Sequence, residues 1–381
     1  VDGQYKPGNV STPLKDVNYL VIHGANDGDV QSFAGLRQYE RLEFSDSTDY
    51  FKSAVYVYGA NHGQFNTTWG NRDSGFPFGS LLNVDALIPM EDQLQIGKIY
   101  ISAFLQATLQ GKTAYAPLFK DHRAGEKWLP ETIYLNQYQS SDWQLLADFE
   151  EDLDLTTTSS MGQITTENLT VWKEQIVGMK YGNRGTRAAY IGWDSLAYEA
   201  DTASFEIVFN EPINAEATSS LTFEMSEAKG STYPDKKRDK EKKKKENGNE
   251  EDNENDNSEE NNEGNANNTE DINEDEDEDE EDKKAPEPID FTIQLTDLND
   301  SIVSFKLSDY SYLQRQLSVD VLKNTELQST KRSEAVYNTF FFNLSQLSSE
   351  TGFDSNAIKA MKFVFDQSKK GLIILDKVAI H

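Results

Sequence analysis

The sequence has no cysteine among its 381 residues. Disulfide bonds, thiolate metal sites and a cysteine nucleophile are therefore excluded, although the compartment stays open because many exported proteins also lack cysteine. Histidine is scarce, and its four dispersed residues argue against a histidine-based metal site. Long apolar runs are missing too. None approaches the roughly 18 residues of a membrane-spanning helix, so no membrane span is expected.

Positive charge is in deficit, with 36 Lys and Arg against 66 Asp and Glu and a net charge of −30. This balance excludes nucleic acid as a partner, because phosphate binding needs a basic face. Residues 235–284 hold 10 Lys or Arg and 23 Asp or Glu, and they contain no aromatic residue. Such a segment cannot bury enough apolar surface to offset its ordering entropy. Residues 234–287 are therefore predicted to be a disordered, solvated insert rather than an anion-binding or calcium-binding segment.

Residues 1–113 alternate between strand-like and helix-like patterns. The apolar runs at residues 19–23 and 53–58 are typical of short buried strands. Residues 32–42 and 91–110 carry apolar side chains at helical spacing, with Ser32 as an N-cap and Gly111 as a stop. Strand, helix, strand, helix predicts a parallel α/β layer, followed by a connector at residues 114–137.

Residues 138–381 show several short runs in which apolar and polar residues alternate, separated by turn residues. This pattern predicts an antiparallel β-sandwich or jelly roll. Two of the runs, residues 221–225 and 291–295, flank the charged insert. We expect them to be neighbouring strands, so that the insert interrupts a loop of the sandwich rather than separating two domains.

The two strands of the first domain end in loops that carry chemically active side chains. HGANDGDV at residues 23–30 brings Asp27 and Asp29 after the first strand, and GANHGQF at residues 59–65 brings His62 after the second. A carboxylate can fix the tautomer of an imidazole and stabilise its protonated form while the imidazole takes a proton from a serine. The plainer alternatives are that Asp27 closes an Asx turn and that His62 is a loop histidine with structural partners.

These two loops resemble the HGxxDxxV acid loop and the histidine loop of α/β-hydrolases, whose triad follows the chain order Ser, Asp, His. The resemblance implies that Asp27 is the triad acid and His62 the triad base. Asp29 is the rival acid, but Asp27 is favoured because Val30 follows it by three residues, as in the family pattern. The resemblance also implies an ester or related acyl substrate for a full-length parent, no catalytic cofactor, and an extracellular or cell-surface location.

The nucleophile of such a triad is missing from the sequence. No G-x-S-x-G pentapeptide is present, and only about 18 residues precede the first strand. We therefore expect the chain to begin late in a hydrolase domain. A general base without a nucleophile or an oxyanion hole has little to act on, so the chain as it stands is expected to be inactive in acyl transfer.

A second resemblance concerns the predicted sandwich. LLADFEEDLDLTTT at residues 145–158 resembles the opening of galactose-binding-type, carbohydrate-binding jelly rolls, and MKFVFDQSKKGLIILDKVAI at residues 361–380 resembles their closing strand pair. It implies a structural calcium ion held by Glu150 and Asp376, and a carbohydrate ligand stacked on exposed rings.

The candidate rings are Trp172, Trp193, Tyr181 and Tyr198. Their alternative role is packing inside the sandwich, because large aromatic side chains dominate protein cores. A second function hypothesis follows from the sandwich: a non-catalytic protein that binds carbohydrate or a surface, with the hydrolase-like part as a scaffold.

Overall fold

The computed structural model describes residues 14–45, 49–195, 202–214, 220–228, 288–328, 332–344 and 352–381. The predicted disordered insert and Tyr198 lie outside these residues. The chain divides into two units, one formed by Val1–Pro234 with Pro288–His381 and the other by Asp235–Glu287. The helices and strands of the described residues lie in the first unit.

The described residues form three α-helices and 16 strands, with a few single-turn 3-10 helices between them. The helices are α1 (Leu36–Arg41), α2 (Met90–Gln110) and α3 (Pro117–Lys120). The strands are β1 (Leu14–Lys15), β2 (Tyr19–Gly24), β3 (Leu42–Glu43), β4 (Phe51–Val57), β5 (Tyr134–Ser140), β6 (Gln144–Ala147), β7 (Gln163–Glu167), β8 (Val171–Gly178), β9 (Asn183–Asp194), β10 (Ala203–Ile213), β11 (Ser220–Glu227), β12 (Thr292–Asp297), β13 (Ile302–Lys306), β14 (Asn338–Asn343), β15 (Ile358–Phe365) and β16 (Lys370–Ile380).

The N-terminal part is a three-stranded mixed sheet in the order β2-β4-β5. Strands β2 and β4 are parallel, as the sequence predicts, and β5 runs antiparallel to β4. Helix α2 covers one face of this sheet, where Ile96 and Tyr100 pack with Val55 in one buried cluster. β4 is buried along its whole length because helices and the second domain cover both of its faces.

Two expectations for this part need correction. Helix α1 begins at Leu36 rather than after Ser32, because the Ser32 hydroxyl donates to Glu334 Oε1 (2.5 Å) instead of capping a helix. Strand β5 begins inside the predicted connector, runs past its end at residue 137 and belongs to the mixed sheet through its pairing with β4.

The second part is a β-sandwich, which confirms the predicted antiparallel sandwich, although residues 138–140 belong to β5 of the mixed sheet. One sheet has five strands in the order β13-β12-β15-β10-β7. The other has the order β14-β11-β16-β9-β8, with β6 also paired to β16. Every strand pair in both sheets is antiparallel. Alternate residues of the two sheets meet in a single apolar core.

The assignment of strands to sheets differs from expectation in two places. β11 and β12, on either side of the insert, lie in opposite sheets and are not neighbours. β15 and β16 also lie in opposite sheets, so they do not form the predicted closing pair. Alternating apolar residues identify a strand with one buried face, but both sheets bury the same kind of face, so the pattern does not tell which sheet a strand joins.

Charged side chains are buried where the mixed sheet and α1 meet the six-stranded sheet. Glu40 of α1 forms ion pairs with Arg184 of β9 and with Lys377 of β16, and all three side chains are almost fully buried. Burial opposes ionisation of Glu40, but Lys377 and Arg184 outweigh it and hold the pKa of this carboxyl well below its usual range. The two layers of the unit are thus joined by buried charge as well as by apolar contacts.

Candidate functional site

The two loops singled out in the sequence lie side by side at the carboxyl ends of the parallel strands β2 and β4. We call residues 24–30 the acid loop and residues 58–65 the histidine loop. Gly24 pairs with Val57 at the last register position of the strands. Beyond it, Asn26 donates its backbone N–H to Ala60 O (2.8 Å) and accepts from Gly59 N through its side chain (3.0 Å). The approach is close enough that a Cβ at position 24 would lie 2.5 Å from Ala60 O, so only glycine fits there.

Asp27 and His62 are brought together by these loops. Asp27 Oδ2 lies 3.2 Å from His62 Nδ1, whereas the rival carboxylate, Asp29 Oδ2, lies 3.8 Å away. Asp27 is 7% exposed in its side chain and Asp29 is 60% exposed. The Asp27–His62 pair is within ion-pair distance, but the buried Nδ1 atom of His62 makes no hydrogen bond.

The other carboxylate oxygen of Asp27 shapes its own loop. Oδ1 accepts from the backbone N–H groups of Asp29 (2.9 Å) and Val30 (2.7 Å). Asp27 therefore closes an Asx turn and faces an imidazole at the same time. Burial raises the pKa of Asp27 to about 6, against the opposing effect of these two N–H groups and of His62. The carboxylate that would orient the imidazole is therefore formed mainly above about pH 6.

Helix α2 contacts the histidine loop through Gln93, whose side chain is fully buried. Gln93 Nε2 donates to Asn61 O (2.7 Å), and Gln93 Oε1 accepts from Asn61 N (3.1 Å). This paired contact fixes the backbone directly before His62. Its only signal in the sequence is a polar residue on the otherwise apolar face of the helix.

Sequence reasoning also missed Asp73, which lies in the segment that follows the histidine loop. Its carboxylate accepts hydrogen bonds from both the acid loop and the histidine loop. No pattern in a single sequence identifies such a contact, because it joins residues 45 positions apart.

One side of the imidazole faces an apolar ring. The Trp69 ring lies 5.6 Å from the His62 ring, centroid to centroid, and is 63% exposed. Asn66 Oδ1 accepts from Trp69 N (3.0 Å), and this contact fixes the backbone that carries the Trp69 ring. The His62 side chain itself is 37% exposed while its Nδ1 atom is buried, so solvent reaches other atoms of the imidazole.

A buried carboxylate beside a partly exposed imidazole is an arrangement that general bases use. A carboxylate facing Nδ1 favours the tautomer that carries its proton there, which leaves Nε2 free to accept a proton. Within the described residues, no serine or threonine hydroxyl hydrogen-bonds to His62. The other histidine of these strands, His23, is buried in a cluster with the Phe33 and Tyr56 rings, and burial lowers its pKa to about 3, as fits a structural residue.

The predicted sugar-stacking rings belong mainly to the core of the sandwich. Trp193 is 2% exposed, stacks on Phe365 at 4.1 Å between centroids, and donates from Nε1 to Ser368 O (2.8 Å). Trp172 is partly buried against the same core. Trp193 offers no open face for sugar stacking, since packing inside the sandwich covers its ring. Trp172 is only partly buried, and its role in sugar binding stays a prediction. Tyr181 is 43% exposed and donates to Gln31 Oε1 (3.1 Å).

The predicted calcium ligands Glu150 and Asp376 line the same cavity, whose volume is about 440 Å³. Lys52 and Lys377 line it too, and they bring two amino groups into the acidic surroundings. Within the described part of the chain, no three histidine or carboxylate side chains are grouped closely enough to hold a metal ion. Calcium binding by Glu150 and Asp376 stays a prediction. None of the described helices has the length and apolar character to cross a membrane.

Comparisons with known proteins leave the family open. No family model matches the sequence, and no curated protein matches it. Among solved structures, an exo-β-agarase aligns over 62% of this chain and 24% of its own, at 10% identity and a TM-score of 0.33. The family 30 carbohydrate-binding module of a cellulosomal cellulase of Clostridium thermocellum aligns over 59% of this chain and 94% of its own, at 9% identity and a TM-score of 0.31. A family 11 carbohydrate-binding module of the same organism, in complex with a β-1,3-1,4-mixed-linked tetrasaccharide, aligns over 62% of this chain and 94% of its own. The identity is 7% and the TM-score 0.30. Likeness at this level decides neither family nor function.

Proposed function

We propose that Asp27 and His62 form the acid and base of a Ser-Asp-His triad that hydrolyses ester or related acyl bonds. The observation that carries the proposal is the approach of Asp27 Oδ2 to His62 Nδ1, 3.2 Å, at the adjoining ends of two parallel strands. A buried carboxylate beside a partly exposed imidazole is the arrangement that a general base needs. The extracellular or cell-surface location expected from the hydrolase resemblance is part of this proposal.

The described residues supply no nucleophile to this pair, so the proposal assigns two of the three triad roles. In a polypeptide that also carries the nucleophile, His62→Ala should lower kcat by several orders of magnitude, on the order of 10⁶-fold, since triad members act as a unit. The 381-residue chain alone is expected to lack triad catalysis, but its imidazole can still assist the attack of water on an activated ester.

The experiment is hydrolysis of 4-nitrophenyl acetate by the 381-residue chain and by its His62→Ala variant. The chain should raise the rate slightly above buffer, and His62→Ala should return it to the buffer rate. The rate increment over buffer should grow as the pH rises through about 6. Asp27 ionises in this range, and its carboxylate can then orient the imidazole of His62.

The matched control is His122→Ala, which removes a histidine outside both loops that stacks on Tyr134. It should keep the increment. A rate that does not exceed buffer, or an increment equally lost in both variants, would contradict the assignment of His62.

A second candidate function is carbohydrate binding by the sandwich without catalysis. The observation that favours it is that no hydroxyl group within the described residues hydrogen-bonds to His62, while the sandwich forms the larger part of the described structure. A panel of polysaccharides in affinity electrophoresis tests it. Retardation that is unchanged in His62→Ala supports binding by the sandwich, and uniform mobility on the whole panel removes this candidate.

A further inference from the structure

A single carboxylate, that of Asp73, joins the acid loop to the histidine loop. Asp73 Oδ2 accepts from Gly28 N of the acid loop (2.7 Å) and from His62 N (3.3 Å). Asp73 Oδ1 accepts from Gly63 N (2.8 Å) and from Asn61 Nδ2 (2.9 Å). Four donors from two loops thus converge on one side chain, and one of them is the backbone N–H of the candidate base itself.

The glycines on either side of the carboxylate fit this role. A Cβ at Gly63 would clash with Gly70 O and lie 3.2 Å from Asp73 Oδ1. A Cβ at Gly28 would lie 3.4 Å from Asp73 Oδ2 and 2.7 Å from the Leu82 side chain. A side chain at position 63 would thus crowd both the Gly70 backbone and the Asp73 carboxylate, whereas one at position 28 would mainly displace the Leu82 side chain.

Each of these hydrogen bonds has a charged acceptor, and hydrogen bonds to an ionised group are roughly twice as strong as neutral ones. The contacts restrain the backbone at residue 28, directly after Asp27, and at residues 61–63 around His62. The separation of Asp27 Oδ2 and His62 Nδ1 therefore depends on where Asp73 holds the two loops.

We propose that Asp73 is the positioning residue of this site, which holds Asp27 and His62 in register so that the imidazole keeps its proton on Nδ1. The inference rests on the proposed function for its catalytic meaning, but its structural content is measurable without an ester. Asp73 accepts from the backbone N–H of His62 rather than from its imidazole, so it acts through the two loop backbones.

The test uses the 381-residue chain with Asp73→Asn. The Asn side chain keeps the size of Asp, but it brings an N–H₂ group to a place where four donors already converge, so at least one contact is lost. The matched control is Asp85→Asn, which removes the same charge from an exposed position of the same segment.

The decisive readout is the tautomer of His62, measured from the ¹⁵N chemical shifts of Nδ1 and Nε2. Wild type and Asp85→Asn should show more of the Nδ1–H tautomer than a free imidazole, because the Asp27 carboxylate lies 3.2 Å from Nδ1, and Asp73→Asn should shift toward the free-imidazole mixture. The 4-nitrophenyl acetate increment should fall about tenfold in Asp73→Asn, since small displacements of a reacting group are costly.

An unchanged tautomer in Asp73→Asn would overturn the proposal, even if thermal stability falls, because a merely structural residue changes stability alone. If Asp73→Asn does not fold, Asp73→Ser, which keeps one acceptor oxygen, provides the same comparison. Failure of both variants to fold while Asp85→Asn folds also overturns it, since Asp73 is then a general stability residue. A tautomer shift with no ester increment in wild type keeps the positioning role and removes the proposed hydrolysis.

Discussion

At the scale of single residues, Asp27 joins two roles that look like alternatives in the sequence. Its Oδ1 closes an Asx turn with Asp29 N and Val30 N, and its Oδ2 faces His62. A carboxylate has two oxygens and about four acceptor sites, so it can satisfy a turn and orient an imidazole together. The turn is what aims the second oxygen at the histidine.

Substitution of Asp27 by Asn should make stability less dependent on pH. Burial raises the pKa of Asp27 in the folded chain to about 6, above its unfolded value. Stability contributed by the protonated form is thus fully present below about pH 4 and is lost as the pH rises through about 6. Asn keeps the Oδ1 acceptor and cannot ionise. Asp27→Asn should therefore exceed wild type in unfolding free energy by about 1–2 kcal/mol at pH 7.5 and by little at pH 4.

Urea unfolding at pH 4, 5.5 and 7.5 measures this difference. Asp29→Asn is the control, because the Asp29 side chain is 60% exposed and its replacement should change stability by less than about 0.5 kcal/mol. Parallel pH profiles for wild type and Asp27→Asn would show that the buried carboxylate carries no such cost.

The candidate acid and base were predictable because they lie at fixed places relative to strands. Asp27 and His62 follow two apolar runs, and parallel neighbours bring the ends of such runs together. Asp73 and Gln93 were not predictable, since they act through contacts between distant parts of the chain. The role of Trp193 was not predictable either, because a tryptophan in a strand gives the same sequence pattern whether its ring faces a sugar or the core.

At the scale of elements, long periodic segments were predicted well and short ones poorly. Helix α2 begins at Met90 and is followed by Gly111, close to the bounds that its apolar spacing and acidic first turn predict. Helix α1 is a six-residue element whose start is set by tertiary contacts of Ser32 with Glu334 rather than by a cap. Sheet membership could not be predicted at all, since β11 and β12 have similar patterns and join opposite sheets.

The end of α2 offers a test of backbone conformation separated from packing. Gly111 has φ +64, and its N–H donates to Gln106 O. A Cβ there would meet nothing within 4 Å, so Gly111→Ala should cost only the left-handed conformation, about 1 kcal/mol of unfolding free energy. Gly75→Ala is the control, because a Cβ at Gly75 also meets open space but the φ of Gly75 is not positive. Equal midpoints for the two variants in thermal unfolding would contradict the conformational cost.

At the scale of the whole molecule, the mixed sheet and the sandwich share a buried interface rather than a simple linker. Strand β5 pairs with β4, and its Asn136 and Tyr138 backbone N–H groups donate to side chains of β14 in the sandwich. Gln137 Nε2 also donates to Glu224 Oε2 of β11 (2.7 Å). A division of this unit at residue 137 or 138 would therefore cut through a strand that holds both layers.

The buried charges at this interface lead to a prediction about cooperativity. Glu40 of the N-terminal layer pairs with both Arg184 and Lys377 of the sandwich, and removal of one member of a buried ion pair leaves uncompensated charge, which costs about 3–5 kcal/mol. Glu40→Gln should lose that much unfolding free energy. Glu43→Gln makes the same change three residues away, where both Glu43 and its partner Lys15 are more than half exposed, and should lose less than about 1 kcal/mol.

Calorimetry should show one transition for wild type, because neither layer can separate without exposing these charges. Two transitions in wild type, or equal losses in the two variants, would mean that the layers are stable independently of Glu40.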